Sequence, residues 1–443
     1  MLPPVWGRIL ARVALGASCL AALCLVGLAL HAASHAVADR SSIREHVAAA
    51  VTSGRLVDED EPKGPTRLSP SWFSDCATLS ILWQEEGPTT FRLLVMSRAV
   101  AWIPEETYCA TLARGVANPD EVGWFDYARY WHGNLVIHRL GLSVFGYETF
   151  RMAVAVLAFL SLIAFAASMM RLAGGLPTAL FAGLILAATD FAASATMPTQ
   201  AISLSALLLS AAALMHVART RPGSFWLCAL CAGAAYNYFD FLYNPSLLAG
   251  LAGFAALFAA RRAHLAPWMT FRRTLTGFGL VLAGYALMWS MKWGLAAIAV
   301  WQESSTVEFI RSGDFSRWSA AGSDAPPLFA AAMSVIMRSF PAWQPVALYG
   351  LAAALAAVLS FRHNSRPVIA LAFVPVSLAL AALEVIAVHT IAHVWFTHRS
   401  LTWLLAMTAA FLVSAALSDP SASGPRLPRF RRPAKRQTSR GSG

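Results

Sequence analysis

Asp75 is the acidic residue whose sequence setting best suits chemistry, because the stretch 72–82 around it is mostly aromatic and aliphatic. If Ser74 or Asp75 begins a helix that runs to about Glu86, the helix N-terminus helps to keep the carboxylate ionised. An ionised and rigidly held carboxylate is what a general base requires, so Asp75 is the predicted catalytic base. A role as a helix N-cap alone is the alternative. The reserve candidates for the base are Asp39, Asp58 and Asp60.

A second chemical signal lies in the run from Trp124 to Leu142. On a helix, Arg129, His132 and Arg139 share one face, and aromatic side chains occupy another. The cationic face predicts a phosphate-binding surface. The alternative is an interfacial helix whose tryptophan, tyrosine and arginine side chains meet lipid headgroups.

Further cations occur late in the chain. Lys292 follows the end of an apolar run, where a lysine either snorkels or presents its ammonium to a lipid-linked phosphate at the membrane surface. The polar segment 389–399 groups three histidines and one arginine at a helix junction, and we predict that it contacts phosphate. The complete predicted phosphate-binding set is Arg129, His132, Arg139, Lys292, His393, His398 and Arg399.

Glu384 lies within the last predicted spans, and an intramembrane carboxylate is costly to keep, so we predict a functional role for it. The alternative role is that of a structural partner for one of the nearby histidines. His389 belongs to the same polar group. The spacing of His389 and His393 suits metal binding, but no third ligand is evident, so no metal or other cofactor is predicted.

The composition is that of an integral membrane protein, because 57% of the 443 residues are hydrophobic and only 13% are charged. Apolar runs of near-spanning length predict an all-α polytopic fold with about ten transmembrane helices. The runs lie at about 13–33, 152–170, 176–189, 201–218, 225–240, 246–260, 275–291, 345–361, 367–388 and 401–417. The predicted parts are an N-terminal transmembrane helix (1–33), a large outer loop (34–150), a multispanning domain (151–418) with a second outer loop at 292–344, and a basic disordered tail (419–443).

The charge pattern predicts the orientation. With a retained first helix and the N-terminus inside, arginines occupy the cytoplasmic turns and the basic tail, and nearly all carboxylates fall on the other side. Both termini are therefore expected in the cytoplasm. The net charge of +11 does not indicate nucleic acid, because many of the cations lie in the C-terminal tail, which suits anionic lipid headgroups.

The outer loop at 34–150 is expected to house the chemistry, because it carries much of the polar chain on one side of the membrane. Amphipathic helices on the membrane face are predicted for Trp72 to Trp83, Phe91 to Ile103 and Trp124 to Phe145. Cys76 and Cys109 form a disulfide if the loop faces an oxidising compartment and their geometry permits it; the sequence leaves both outcomes open.

The layout over about residues 12–418 resembles the GT-C class of membrane glycosyltransferases. The local strings 127–133 (YARYWHG), 291–293 (MKW) and 389–399 (HTIAHVWFTHR) are similar to those of multispanning proteins of bacterial surface polysaccharides. The resemblance implies a catalytic acid in the first outer loop, which by position is Asp75. It also implies a bacterial inner membrane location and a polyprenyl-phosphate sugar donor.

The expected activity is transfer of a sugar from a polyprenyl-phosphate donor to a glycan, lipid or protein acceptor of the cell envelope. Asp75 would deprotonate the acceptor hydroxyl while the cations stabilise the departing phosphate. The alternatives are a transporter or flippase of lipid-linked saccharide, a polysaccharide polymerase or ligase, and a structural membrane scaffold. A transporter would be expected to show several ionisable residues deep in its spans and two related halves.

Overall fold

The fold is an all-α helical bundle of membrane type with a small domain on one end, which confirms the predicted fold class. A computed structural model describes residues 4–54, 56, 72–84, 90–101, 103, 106–128, 130–240, 244–300, 329–339, 343–360, 366–385, 397 and 399–417. The reserve candidates Asp58 and Asp60, the predicted cations Arg129, His393 and His398, and His389 lie outside these ranges, as does the tail at 419–443.

Each of the ten apolar runs coincides with a helix. The bundle helices are α1 (Pro4–Val37), α7 (Tyr147–Ala173), α8 (Gly175–Ala188), α10 (Pro198–Thr220), α11 (Phe225–Phe239), α12 (Pro245–Arg262), α13 (Pro267–Ala299), α15 (Trp343–Ser360), α16 (Arg366–Val385) and α17 (Arg399–Leu417). Two short helices, α9 (Phe191–Ala195) and α14 (Ala330–Ser339), lie between them. Among the described residues, six helices are long and apolar enough to cross a membrane, within α1, α7, α10, α13, α16 and α17. The count of ten crossings stays a prediction.

The chain between α1 and α7 folds into a small domain. Its elements are α2 (Arg40–Thr52), α3 (Phe73–Gln84), α4 (Phe91–Val95), β1 (Ser97–Val100), α5 (Tyr108–Ala117), β2 (Trp124–Tyr127) and α6 (Gly133–Leu142). The predicted helix at 72–83 is confirmed as α3. It is not an amphipathic surface helix, however, because most of its side chains are buried, including those on opposite faces. We call the end of the bundle that carries this domain the loop side.

Two of the predicted helices in this domain are wrong in part. The run from Phe91 to Ile103 forms only one turn or so of helix before β1, and the run from Trp124 begins as β2 rather than as helix. The two strands pair antiparallel, with Ser97 opposite Tyr127. Aromatic residues favour strands when a partner is present, so this tertiary pairing overrides the helical spacing read from the sequence.

A disulfide joins α3 to α5. Cys76 and Cys109 are bonded, with their Cα atoms 5.1 Å apart, so the question that the sequence left open is resolved in favour of a bridge. Both cysteines are buried in the hydrophobic core that the small domain shares with the bundle. The bridge therefore fixes the helix that carries Asp75.

Two glycines bring α11 and α13 into backbone contact. A Cβ on Gly233 would lie 2.0 Å from the carbonyl oxygen of Val281, and a Cβ on Gly284 would lie 1.9 Å from that of Leu230. Any larger residue at either position would push the helices apart. Small residues at facing positions are what close helix packing in a membrane requires.

The described carboxylates of the bundle gather on one side, and arginines contact helix C-termini on the other. Away from the loop side, Arg262 donates to the carbonyl oxygen of Arg171 at the end of α7, and Arg261 donates to that of Ala415 in the last turn of α17. Cations suit helix C-termini because they compensate the carbonyl ends. The described carboxylates of the bundle lie at loop-side ends: Glu148, Asp190, Asp240 and Glu384. This asymmetry fits the predicted topology, while the sidedness relative to the cytoplasm stays a prediction.

Candidate functional site

The first two turns of α10 are the centre of the polar structure on the loop side. Three of its residues face three different groups: Thr199 contacts Asp75, Gln200 contacts Arg399, and Ser203 contacts Asp240. All three α10 residues are buried. One helix N-terminus therefore links the small domain to the membrane helices at the place where charged side chains collect.

Asp75 caps α10 rather than its own helix. It lies inside the first turn of α3, only 1% exposed, and its Oδ1 accepts a hydrogen bond of 2.8 Å from the Thr199 backbone N–H. Thr199 is the second residue of α10, so the carboxylate satisfies one of that helix's unpaired N–H groups. Its other oxygen, Oδ2, is buried and accepts no hydrogen bond from the residues that the structure describes.

Burial is the main influence on the ionisation of Asp75. It raises the pKa of this carboxyl from its ordinary 3.8 to about 7, against the opposing effect of the hydrogen bonds from Thr199. The sequence predicts that a helix N-terminus keeps the Asp75 carboxylate ionised. A helix N-terminus is present, that of α10, but its effect on the pKa is smaller than the effect of burial.

Arg399 and Asp190 form an ion pair in the wall of a cleft. Asp190 precedes the short helix α9, and Arg399 begins α17, so residues more than 200 positions apart meet here. The Arg399 Nη1 group also donates to the Gln200 Oε1 atom at 2.7 Å. Its Nη2 group donates to no residue within the described ranges.

This cleft is small, with a volume of about 20 Å³, and we call it the acid–cation cleft. Its walls come from α9, α10, α11, α12 and α17, which all end or begin on the loop side. Its lining combines charged, amide, hydroxyl and apolar groups, as small-molecule sites do. The lining residues are Asp190, Ser194, Gln200, Ser203, Leu204, Leu207, Tyr236, Asn244, Leu247, Arg399 and Trp403.

Asp240 lies next to this cleft at the end of α11. It is 2% exposed, and its two oxygens accept hydrogen bonds of 3.0 Å from Ser203 and from Tyr285. Ser203 and Tyr236 line the cleft, and Ser203 lies 3.5 Å from the Tyr236 hydroxyl. Asp240 is therefore connected to the cleft through the hydroxyl group of Ser203 on α10, which lies beside that of Tyr236 on α11.

A second group of charged side chains gathers between α1, α6 and α13. We call it the cationic cluster, and it consists of His31, His132, Arg139 and Lys292. Arg139 is 1% exposed, and its Nη1 group lies 3.1 Å from both the His31 Nδ1 atom and the Ser34 hydroxyl. The His31 Nε2 atom lies 2.9 Å from the carbonyl oxygen of Trp131.

Lys292 and His132 complete the cluster. Lys292 is 1% exposed, and its Nζ atom lies 6.0 Å from the centre of the Trp131 ring. Burial, followed by the nearby charge of Lys292, holds the pKa of His132 well below its ordinary value. His132 stands immediately before α6 with a φ of 55°, a left-handed conformation that histidine seldom adopts. Such an outlier is a recognised feature of functional positions.

Aromatic side chains connect the two sites. Tyr285, which donates to Asp240, has its ring 6.3 Å from that of Trp289, and Trp289 stacks at 6.3 Å on Tyr130. Tyr130 in turn lies 6.3 Å from the His132 ring. A row of three rings, two on α13 and one from Tyr130, therefore runs from Asp240 beside the acid–cation cleft to His132 in the cationic cluster.

The structure divides the predicted phosphate-binding set. His132, Arg139 and Lys292 come together in the cationic cluster, whereas Arg399 lies in the acid–cation cleft. Arg139 is not on a continuous helix with the aromatic residues of β2, so the predicted faces of a single helix from 124 to 142 are wrong. The cations are instead grouped by packing of α6 against α1 and by contact of Trp131, just before α6, with α13.

Two other predicted acids have structural contacts. Glu384 accepts a hydrogen bond of 2.6 Å from the Ala332 backbone N–H, in the first turn of α14. Asp39 is exposed and caps α2, where hydrogen bonds from Ser41 and Ser42 lower its pKa. Neither residue lines the acid–cation cleft.

The sequence reasoning missed several residues of this region as site candidates: Asp190, Gln200, Ser203, Tyr236, Asp240 and Tyr285. One signal was present, since Asp190 and Asp240 are carboxylates at loop-side ends of apolar runs, where acids are costly unless they have a partner. The neutral residues had no such signal, because serine, glutamine and tyrosine are common in membrane helices.

Within the described ranges, no three histidine, cysteine, aspartate or glutamate side chains are grouped so that they could hold a metal ion. Comparisons of this chain with protein-family models, with curated proteins and with solved structures find no match.

Proposed function

We propose that this membrane protein is a glycosyltransferase that moves a sugar from a polyprenyl-phosphate donor to an acceptor on the outer face of the bacterial inner membrane. The acid–cation cleft is the observation that carries the proposal. It places one guanidinium, one carboxylate and several hydroxyl and amide groups together at the loop-side ends of membrane helices. These are the groups that a lipid phosphate and a sugar require.

The outer-face location has separate support. The Cys76–Cys109 bridge suits an oxidising compartment such as the bacterial periplasm, and the opposite end of the bundle carries the arginines expected on the cytoplasmic side. The loop side would then face the periplasm, where lipid-linked donors present their sugars after crossing the membrane.

Arg399 is the proposed phosphate contact. Its Nε and Nη1 groups are already oriented by Asp190 and Gln200, so the guanidinium is held in place before a ligand arrives. The charge on the phosphate grows as the bond between the phosphate oxygen and the anomeric carbon breaks. A fixed cation therefore binds the transition state more strongly than the ground state.

Asp190 is the proposed general base. When a phosphate engages Arg399, it competes with Asp190 for the same guanidinium and leaves that carboxylate able to accept a proton. The acceptor hydroxyl oxygen then forms a bond to the anomeric carbon, its proton goes to Asp190, and polyprenyl phosphate departs with the electron pair.

Asp75, the base predicted from sequence, remains the competing candidate. Its pKa of about 7 suits proton transfer near neutral pH, but it is almost fully buried and does not line the cleft. We assign it the role of a positioning residue that holds the N-terminus of α10, from which Gln200 and Ser203 project into the cleft.

Transfer assays with variants test these roles. Membranes containing the chain would be incubated with polyprenyl phosphates that carry radiolabelled hexoses or pentoses, one at a time, and release of polyprenyl phosphate measured. Asp190→Asn is expected to reduce release by roughly 10²–10⁴-fold, the usual contribution of a general base. Arg399→Gln is expected to reduce it by roughly 10²–10³-fold, as loss of an electrostatic contact to a developing charge does.

Arg98→Gln, a change of an exposed arginine on β1, is the matched control and should keep full activity at equal expression. If Asp190→Asn is fully active and Asp75→Asn is not, the base is Asp75. Full activity of both Asp190→Asn and Arg399→Gln would rule out the cleft as the transfer site.

A further inference from the structure

Lys292 presents an unusual problem of charge. It lies near the loop-side end of α13 with 1% of its surface exposed, and its Nζ atom makes no hydrogen bond with any described residue. The described carboxylates form no ion pair with it either, and the Trp131 ring centre lies 6.0 Å from the Nζ atom. A buried ammonium without hydrogen bonds or a counter-charge is expensive to maintain.

The surroundings of Lys292 add positive charge rather than remove it. His132 is close enough to both Lys292 and Arg139 that each lowers its pKa. Arg139 is oriented by His31 and Ser34, and both contacts direct its Nη1 group toward α1. Two cations from different helices therefore act on one imidazole.

We propose that the cationic cluster binds a phosphate group, as an anion site separate from the acid–cation cleft. A phosphate has several acceptor oxygens, so one group can accept from the Lys292 ammonium and from the Arg139 guanidinium together. The cost of burying Lys292 alone would then be offset by the bound anion. A neutral sugar hydroxyl would not supply that compensation.

A lipid-borne phosphate fits the position of the cluster. His31 is on α1, which exposes Leu25, Val26 and Leu30 on its outer surface, so among the described residues α1 lies between the cluster and the surroundings. In a membrane those surroundings are lipid. The distance from the nearest lipid to the cluster is therefore about the width of the α1 helix.

If the proposed transferase function is correct, the cationic cluster also indicates the chemical class of the acceptor. With the donor phosphate on Arg399, a second phosphate site next to the cleft implies an acceptor that is itself an anionic, phosphate-bearing lipid. The binding of a phosphate by the cluster does not depend on that function and is tested without measuring transfer.

The test is ligand binding to the full chain in nanodiscs of phosphatidylcholine. Tryptophan fluorescence includes a signal from Trp131, whose ring centre lies 6.0 Å from the Lys292 Nζ atom, and the thermal unfolding midpoint provides a second measurement. Three probes are titrated separately: inorganic phosphate, dodecyl phosphate, and phosphatidylglycerol introduced into the nanodisc. The first reports a free anion, the second a lipid-borne phosphate monoester and the third a phospholipid headgroup.

We expect dodecyl phosphate to change the fluorescence and raise the midpoint of the wild-type protein. In Lys292→Met its affinity should fall by roughly tenfold or more, the loss expected for one charge-assisted hydrogen bond. Lys292→Arg should keep most of the binding. Arg98→Gln should bind as the wild type does. Arg399→Gln removes the proposed phosphate contact of the cleft and should leave the Lys292-dependent response in place, which separates the two sites.

The unliganded proteins provide a check against a purely structural role. Because Lys292→Met removes a buried charge that has no counter-charge, it should unfold at the wild-type temperature or above it while losing the ligand response. Equal binding of every probe to the wild type and to Lys292→Met would overturn the proposal. Loss of binding in Lys292→Met together with unchanged transfer in Arg399→Gln would uphold this site and reject the proposed function of the cleft.

Discussion

The acid–cation cleft and the cationic cluster bury cations at neighbouring places and compensate them in different ways. In the cleft, Arg399 is paired with Asp190 and hydrogen-bonded to Gln200. In the cluster, Lys292 has an aromatic ring at 6.0 Å and no hydrogen bond from the described residues. The first site has its counter-charge built into the fold, while in the second the described residues supply no counter-charge to Lys292.

This difference indicates two kinds of binding. A guanidinium that is fixed by two partners loses little freedom when it meets a phosphate, but the phosphate must displace a carboxylate. An ammonium without a counter-charge gains more from each anion that reaches it. Asp75 is an intermediate case, because its carboxylate is compensated by one N–H group at a helix N-terminus rather than by a cation.

The largest change in stability is expected from breaking the ion pair of the cleft on one side. Arg399→Gln leaves the Asp190 carboxylate nearly buried and without its counter-charge, which should lower the free energy of unfolding by roughly 3–5 kcal/mol. The double variant Asp190→Asn with Arg399→Gln should recover most of this loss. Chemical or thermal unfolding in nanodiscs measures all three proteins.

The matching change in the cluster, Lys292→Met, should not show such a loss. If Arg399→Gln and Lys292→Met destabilise the unliganded protein equally, the buried cations of the two sites do not differ in how their charge is compensated.

A smaller effect is expected from Asp75, and it depends on pH. Its pKa is about 7 in the folded protein and near 3.8 when unfolded, so the folded state binds more protons between pH 4 and pH 7. Stability contributed by the protonated carboxyl is therefore full below pH 4 and declines as the pH rises toward 7, by about 1 kcal/mol per pH unit. Asp75→Asn cannot ionise and should lose this slope.

Other groups titrate in the same range, so the difference between Asp75→Asn and the wild type is the quantity to measure. Burial lowers the pKa of His138 to about 4, which gives a slope of the opposite sign in both proteins. Identical pH profiles of the two proteins would mean that Asp75 is solvated and ionised, contrary to its burial.

The smallest effect is expected from Glu384, which uses the same kind of compensation as Asp75. Glu384→Ala removes the acceptor of the Ala332 N–H in the first turn of α14 and should cost about 1 kcal/mol, as loss of a helix cap does. Glu384→Gln keeps an acceptor oxygen and should cost only a few tenths. Hydrogen exchange of the Ala332 amide, compared between the two variants, measures this directly. Equal exchange in both would show that Glu384 does not cap α14.

Much of the fold could be predicted from sequence because the signals are strong and local. Apolar runs placed helices at all ten predicted positions, and the arginines at helix ends agree with the two sides of the bundle. The strands β1 and β2 could not be predicted, because four-residue segments pair only in response to a distant partner. The sequence leaves the Cys76–Cys109 disulfide open, because only the structure shows that the two Cα atoms are 5.1 Å apart and that the cysteines are bonded.

The site could be predicted only in some of its charged members. Asp75 and Lys292 stood out by their apolar surroundings, Arg139 by a predicted cationic helix face and Arg399 by a polar segment, and each is substantially buried in the structure. Their grouping could not be deduced, since Arg399 meets Asp190 across 209 positions and Asp75 meets Thr199 across 124. Such pairings depend on how α3, α9, α10 and α17 pack together, which the spacing of residues along the chain does not encode.

The backbone contact of α11 with α13 sets a fixed length between the two sites. Gly233 and Gly284 let these helices approach to backbone contact, and Asp240 beside the cleft and Lys292 in the cluster belong to one helix each. The spacing of α11 and α13 would thus set the distance between two molecules bound at the two sites. Gly284→Ala would increase this distance and should misalign the two bound molecules, while each site could still bind its own ligand.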